Sequence, residues 1–513
     1  MFKQILRSTT IIGKMTLLSR LLGYIRDMLI ARLFGASIST DAFFISFKIP
    51  NLFRRFFAEG AFSNAFVPVL TEYKEKHDRK SLSKFLNAQL GALATVLGVV
   101  VTIGILISPF VIMIFAPGFE RDSDRYFLSV ELLKITFPYL IFISLTALLA
   151  SVLNVFGKFA VAAFTPALLN LSIIAAAIFL SPLISVPIYS LAIGVFIGGG
   201  LQLTLQYLSV RKLGFRFNLN LGFKHEGVKK VFKLMVPGII GGSVAQLNIL
   251  IDSIIASFLV AGSISWLYYS DRIIELPLGV FGIALATAIL PSLSKFAIKS
   301  EFKKFNNAIR HSINWALFLG IPSASGIILL AEPIIISLFH YGEMTAYDVQ
   351  QCTKSLRGYA LGLPAYILIK VLVTAYFAKK DMVTPVKIAV CALIINTILN
   401  VLLMQYFGHT GLALATSIAA WFNVSMLFIC LKISEEKFSR EGIFNCLRIL
   451  IASVIMMIVL SWSIPKTTFN VEIAFWLRFF YLFCLIVIGC ISYFFVSFVL
   501  GMNKGKIHRL YGI

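Results

Sequence analysis

The chain has 513 residues, is 59% hydrophobic and only 13% charged, and has a mean hydropathy of +0.90, a balance that ordinary soluble globular domains do not reach. A free-standing nucleic-acid module is excluded despite the net charge of +23, because the basic residues sit in short loops between apolar runs and not on one polar face. Six cysteines, all in the second half and without CxxC spacing, suggest neither a disulfide framework nor a zinc site. The composition calls for an all-α polytopic membrane protein.

In chain order, fourteen apolar runs are long enough to span a bilayer, roughly 10 to 35, 40 to 70, 85 to 115, 127 to 153, 160 to 182, 188 to 210, 232 to 260, 265 to 293, 312 to 338, 354 to 378, 385 to 407, 410 to 431, 446 to 464 and 474 to 500. The first run follows Lys3 and Arg7, is broken by Lys14 and Arg20 and lacks a small-residue cleavage site, so it is expected to be retained as a span. Loops at 71 to 84, 154 to 160, 211 to 233, 295 to 310, 379 to 387 and 432 to 448, with the tail at 504 to 509, hold 28 Lys and Arg. The alternate loops hold three, Arg121, Arg125 and Lys466. This asymmetry predicts that both termini are cytoplasmic.

The stretch from Ser19 to Lys76 is the unusual one. Its two spans carry Arg20, Arg26, Asp27, Asp41, Lys48, Arg54, Arg55 and Glu59. A lone Arg at the bilayer centre costs about 2.5 to 3.5 kcal/mol on insertion scales, so four facing acyl chains would cost on the order of 10 kcal/mol or more. The charges therefore line a wet, protein-walled cavity. Arg55 and Glu59, one helical turn apart, read as a local ion pair. Bases outnumber acids, and guanidinium groups fit phosphate oxygens in bidentate fashion, so the cavity suits a phosphate-bearing anion. Pro50 in the middle of the second span should free backbone carbonyls, tolerable only beside protein or water.

Spans three to six read as ordinary, with Glu131 and Lys134 expected to form an interfacial pair. In the eighth span Arg272 follows Tyr268, Tyr269 and Asp271, and is read as facing the cavity or as pairing locally with Asp271 or Glu275. Lys370, deep in the tenth span, is open to the same two readings. Asp252 in the seventh span, Asn396 and Asn400 one turn apart in the eleventh, and Thr416 in the twelfth form a candidate Na+ site or proton carrier. Interhelical hydrogen bonding would explain the Asn and Thr residues equally well. No catalytic constellation appears: the six His sit in loops or at span edges, there is no Gly-rich phosphate loop, and no loop is large enough to hold a reaction. The reading is a transporter, not an enzyme, with no cofactor.

The chain also repeats itself. AFSNAFVPVLTEYKEK at 61 to 76 lines up without gaps on ALATAILPSLSKFAIK at 284 to 299, SIS at 37 to 39 recurs at 263 to 265, and VFGKFAVAAFTP at 155 to 166 is echoed by YFAKKDMVTP at 376 to 385. Matches kept in one order at one spacing argue for duplication. Six spans per unit is an even number, so the halves enter the membrane in the same direction, a transporter arrangement. The expected divisions are a six-helix lobe over 1–210, a cytoplasmic linker over 211–231, a second six-helix lobe over 232–432 and two additional helices over 433–513.

The segments SRLLGYIRD, DAFFISFKIPNLFRRFFAEGAFSNAFVPV and YYSDRIIELPLGVFGIALATAILPSLS closely resemble the MurJ (MviN) lipid II flippases of the MOP exporter superfamily, and the likeness runs over nearly the whole chain. It implies flipping of the lipid-linked peptidoglycan precursor from the cytoplasmic to the periplasmic leaflet of the bacterial inner membrane by alternating access, its diphosphate held in the cavity. The family's cavity arginines carry over to Arg20, Arg26, Arg54 and Arg272, with Asp41 and Glu59 as motif acids, and Asp27, Asn51 and Arg55 complete the candidate substrate set. In that family the two added helices are associated with a groove for the polyprenyl tail. Na+ coupling carries over less fully, because Asn400 stands where a tight site would have an acid. Membrane lipids and the cell-wall synthesis machinery are the implied partners. An O-antigen-type flippase and a multidrug exporter of the same superfamily are the alternatives, the latter needing an acidic or aromatic cavity.

Overall fold

In lipid a backbone must satisfy its own N–H and C=O groups, and for long apolar runs punctuated by Gly, Pro and basic loops the α-helix does so within each segment. The computed structural model, which describes residues 2–57, 61–216, 221–431, 440–464 and 474–502, leaving aside the side chains of 2–12, 55–57, 61, 237–245, 440, 441 and 443, contains no strand among the described residues. The chain divides into two compact units, Met1–Ser265 and Trp266–Ile513.

The first unit holds α1 (Phe2–Phe34), α2 (Ile38–Phe57), α3 (Ala61–Lys76), α4 (Arg79–Leu106), α5 (Ser108–Phe115), α6 (Asp124–Thr136), α7 (Tyr139–Val155), α8 (Phe159–Ala175), α9 (Tyr189–Arg211) and α10 (Glu226–Ser257), and α11 (Ser263–Pro277) begins at its end. α1 packs on α8, and α2 on α6 and α7. Pro50 lies inside α2 as expected, and it has no N–H for the carbonyl of Ser46 one turn back. Thr136 Oγ1 on α6 donates to that carbonyl at 3.2 Å, so a buried hydroxyl replaces the missing backbone bond. The expected Lys134–Glu131 pair is present at 2.7 Å.

α10, which the duplication assigns to the second half, packs on α3 and α4 in this unit. Lys230 pairs with Glu72 at 2.6 Å and holds that carboxylate below its ordinary pKa through their hydrogen bond. His225 caps α10, its Nδ1 accepting from Gly227 N at 3.2 Å, beside the stacked rings of Tyr73 and Phe85. At the other end of α10, Gly118 N donates to Ser257 Oγ at 2.9 Å. A Cβ on Gly118 would run into the backbone of Ser257 and Phe258, so only glycine allows this approach.

The second unit continues α11 and holds α12 (Ile283–Ile298), α13 (Phe302–Phe339), α14 (Ala346–Ala360), α15 (Leu363–Ala378), α16 (Val383–Phe407), α17 (His409–Cys430), α18 (Arg440–Ser463) and α19 (Phe475–Val499), with a π-helical turn at Leu278–Gly282 between α11 and α12. The two added helices pack on α13. Pro322 inside α13 leaves the carbonyl of Phe318 without its usual donor, and Tyr493 on α19 supplies one at 2.8 Å. Arg478, buried in α19, donates to His340 O at the C-terminal end of α13 and lies over Tyr341, a cation at the negative end of a helix dipole.

Opposite the basic loops, this unit is tied by a buried polar cluster. Asp348 closes a capping box with Thr345 at the start of α14 and accepts from Trp266 Nε1 at 2.8 Å. His409 Nδ1 lies 2.6 Å from Ser355 Oγ, and its Nε2 lies 3.1 Å from Gln351 Oε1.

Eleven helices among the described residues are long and apolar enough to cross a membrane. The three expected spans outside that set are 10 to 35, 40 to 70 and 232 to 260. The first two carry the charge noted above, and of the third only Gln246–Ser257 stands as a shorter apolar helix. The chain is a multi-pass membrane protein by these criteria.

Candidate functional site

Two arginines of α1, Arg20 and Arg26, differ in exposure. Arg20 is exposed. Arg26 is only 6% exposed, and its Nε and Nη2 reach Asp27 Oδ1 at 2.9 and 2.6 Å. Its Nη1 donates to Asn170 Oδ1 on α8 at 3.0 Å, while Asn170 Nδ2 donates to Ser19 O at 2.9 Å. One amide therefore fixes α1 on either side of Arg20. Such charge-assisted contacts set the plane of a guanidinium and so decide what else it can reach. Asn170 was missed because α8 reads as an apolar span, and a single Asn in a helix gives no sign of its partner.

In α2, Asp41 is fully buried. Its Oδ2 accepts from Arg125 Nη2 at 2.6 Å and from Gly262 N at 2.8 Å, and its Oδ1 accepts from Ser265 N at 2.9 Å and Ser265 Oγ at 2.6 Å. The last donors belong to the start of α11, where backbone N–H groups are left without helical partners and attract an anion. Arg125 also donates to Leu259 O and stacks over Phe119 at 4.0 Å. An arginine that the loop count leaves as an incidental outer charge is thus the counter-ion that makes a buried Asp41 tolerable.

Asn51 Nδ2 turns back on Phe47 O at 3.0 Å. Arg54 and Lys48 are partly exposed. The side chain of Arg55, and Glu59 with its expected pair to Arg55, lie outside the described residues.

In the second unit Arg272 meets Glu275 at 2.6 Å and lies over Tyr268 at 5.8 Å. The local partner foreseen for it is therefore present, yet the guanidinium stays 30% exposed and Glu275 more so. Exposed pairs of this kind hold weakly, and another anion can compete with Glu275 for the guanidinium.

The candidate ion-binding residues fall in both units. Asp252 on α10 accepts from Asn248 Nδ2 at 3.0 Å. Asn396 and Asn400 are buried one turn apart on α16, and Thr416 on α17 donates to Leu412 O of its own helix. Among the described residues no group of three or more His, Cys, Asp or Glu could hold a metal ion.

A family model described as "Lipid II flippase MurJ" matches residues 30–483. The probable lipid II flippase MurJ of Vibrio cholerae serotype O1 is 41% identical over 509 residues, covering 98% of this chain and 97% of that protein. A solved structure described as lipid II flippase MurJ in an inward closed conformation superposes with a TM-score of 0.81 at 30% identity, covering 96% of this chain and 99% of that one. An inward-facing multidrug resistance MATE family transporter of the MOP superfamily has the same fold, with a TM-score of 0.66 at 14% identity over 86% of this chain and 98% of its own.

Proposed function

From the premise that the chain belongs to the MurJ lipid II flippase family of the MOP superfamily, we propose that it moves lipid II from the cytoplasmic to the periplasmic leaflet of the bacterial inner membrane by alternating access. The observation that carries the reading is the division of labour on α1 and α2: Arg20 and Arg54 reach the accessible surface, whereas Arg26 is held in place by Asp27 and Asn170. Guanidinium groups that reach the accessible surface at membrane depth require water around them and attract anions. A diphosphate supplies four or more acceptor oxygens in a geometry that planar donors match. Arg272, paired with Glu275, is proposed to exchange that partner for an anionic group of the substrate. Asp41 acts through Arg125 and the start of α11, and Asp27 acts through Arg26. Neither acid is given a direct substrate contact. Asn51, Arg55 and Glu59 are kept as members of the same motif.

The basic loops support fourteen spans with both termini cytoplasmic. Asn396, Asn400 and Thr416 offer oxygen donors suited to Na+, and Asp252 offers a carboxylate that could carry a proton. Either would couple transport to an ion gradient. Lipid II binding to the purified chain, compared with Arg20→Ala and Arg54→Ala variants of normal abundance and thermal stability, tests the reading. Weaker binding in both variants supports it, and parental binding in both refutes the arginine assignment.

A further inference from the structure

α15 is a helix built to be covered. Eleven of its sixteen residues are buried, and only Lys370 and Phe377 are exposed. Tyr366, Lys370, Val373 and Phe377 follow the helical spacing of one face, so α15 presents a single accessible stripe with a cation at its middle. Lys370 lies eight residues before the last residue of α15, about 12 Å along the axis at 1.5 Å per residue. That depth is well inside a hydrocarbon layer about 30 Å thick. A lysine there that met acyl chains would cost about 2.5 to 3.5 kcal/mol.

A Cβ placed on Gly282 would lie 3.6 Å from Lys370 Cγ, so the lysine stem runs along the bare backbone that closes the π-helical turn Leu278–Gly282. α15 packs on that turn and on α12, whose Ala284, Thr287, Ala288 and Pro291 form an exposed face of small residues. Gly282 is buried, so the stem is covered there while the residue as a whole stays exposed, and the cost above argues for an ammonium in water and not among acyl chains. Turns of this type are frequent at functional sites because the bulge re-aims local groups. The duplication sharpens the point. Val155 aligns with Tyr376, and counting back by that spacing puts Leu149 where Lys370 stands. Leu149 is buried. The second half thus carries a charge at a position that the first half fills with packing.

We propose that Lys370 is a further substrate contact, its ammonium receiving an anionic oxygen, carboxylate or phosphate, of the transported lipid's head group. This rests on the flippase reading above. A lysine is a point charge with three rotatable donors, suited to a single mobile anionic group, whereas the planar arginines suit the diphosphate.

The test measures lipid II binding to the full chain in detergent by native mass spectrometry, with phosphatidylglycerol as a second anionic probe. Lys370→Gln should raise the Kd for lipid II about tenfold, the loss of one charged hydrogen bond. Lys370→Arg should stay close to the parent, and phosphatidylglycerol binding should not change. Parental affinity in Lys370→Gln overturns the proposal and leaves the flippase reading standing. A loss confined to phosphatidylglycerol, or equal for both probes, also overturns it, because the site would then be a general anionic-lipid contact. Failure of the unmutated chain to bind lipid II removes the flippase reading and this proposal together. Should the Gln variant not fold, acetylation of Lys370 in the unmutated chain decides. Labelling that lipid II blocks supports the contact, and labelling that is absent, or unchanged by lipid II, refutes it.

Discussion

Arg26 and Asn170 are 144 residues apart in the chain and 3.0 Å apart in space. Asn170 is thereby a positioning residue: it accepts from the guanidinium and, through Ser19 O, steadies the turn of α1 that carries Arg20. Removing the amide takes this contact from Arg26 and leaves its pair with Asp27 in place. Asn170→Ala should lower the flipping rate on the order of tenfold, the worth of one hydrogen bond to a charged group. Asn170→Asp, which keeps the acceptor and loses the donor to Ser19, should retain more activity than Ala. Flipping rates in reconstituted vesicles check this. Equal losses in the two variants would assign Asn170 to packing alone.

The Asp41–Arg125 pair makes a thermodynamic prediction. Both side chains are shielded, at 0% and 11% exposure, so breaking the pair strands a buried charge, which costs about 3 to 5 kcal/mol. Asp41→Asn and Arg125→Gln should each lower the apparent Tm in detergent markedly, and the double variant should lose less than the two single losses added together. Strict additivity would mean that the two groups are not coupled.

Much of this was legible in the sequence. Helical class, multi-pass character and the charged α1 and α2 follow from hydropathy and from the cost of charge in lipid, which act locally along the chain. The backbone defect at Pro50 was legible too, because a missing N–H needs only the sequence to be seen. The identity of the donors that repair such defects, Thr136 for Pro50 and Tyr493 for Pro322, was not, since each lies on a helix far away in the chain. Asp41 read as a cavity acid for the same reason. Its partners Arg125 at the start of α6, Gly262, and Ser265 at the start of α11 come from remote segments, and hydropathy is blind to them. The place of α10 shows a further limit: the repeat spacing would put it in the second half, while packing on α3 and α4 joins it to the first unit.

His225 gives a pH dependence whose sign is fixed by geometry. Burial lowers its pKa below the ordinary 6.5, and Glu226 opposes this only in part. Its Nδ1 accepts from Gly227 N and so must be unprotonated for the cap to hold. A depressed histidine means that the folded cap binds fewer protons than the frayed one. Its stabilisation is present above pH 6.5 and is lost as pH falls below that value. Protection factors at residues 226 to 231, the exchange rates corrected for their intrinsic pH dependence, should therefore fall on acidification. His225→Asn, which caps through an oxygen, should remove most of that dependence. An unchanged pH profile in the Asn variant would place the titrating group elsewhere.

Arg272 separates stability from transport. Its pair with Glu275 is half-exposed and is worth up to about 1 kcal/mol, so Arg272→Ala should leave abundance and Tm near the parent. If the guanidinium exchanges Glu275 for a diphosphate, the same variant should lose most flipping. Arg272→Lys should recover only part of it, lacking the planar fork. Glu275→Gln, which removes a competing carboxylate from beside the guanidinium, should keep or raise lipid II affinity. A fully active Arg272→Ala would remove this residue from the substrate site.

The most direct measurement is leaflet accessibility of lipid II in cells depleted of this protein and supplied with either the parent chain or Arg54→Ala. The parent should restore lipid II to the periplasmic leaflet, where an externally added, membrane-impermeant hydrolase can cleave it. Arg54→Ala, at matched membrane abundance, should leave lipid II protected on the cytoplasmic side. Lipid II that stays equally accessible after depletion would contradict the claim that this chain carries it across.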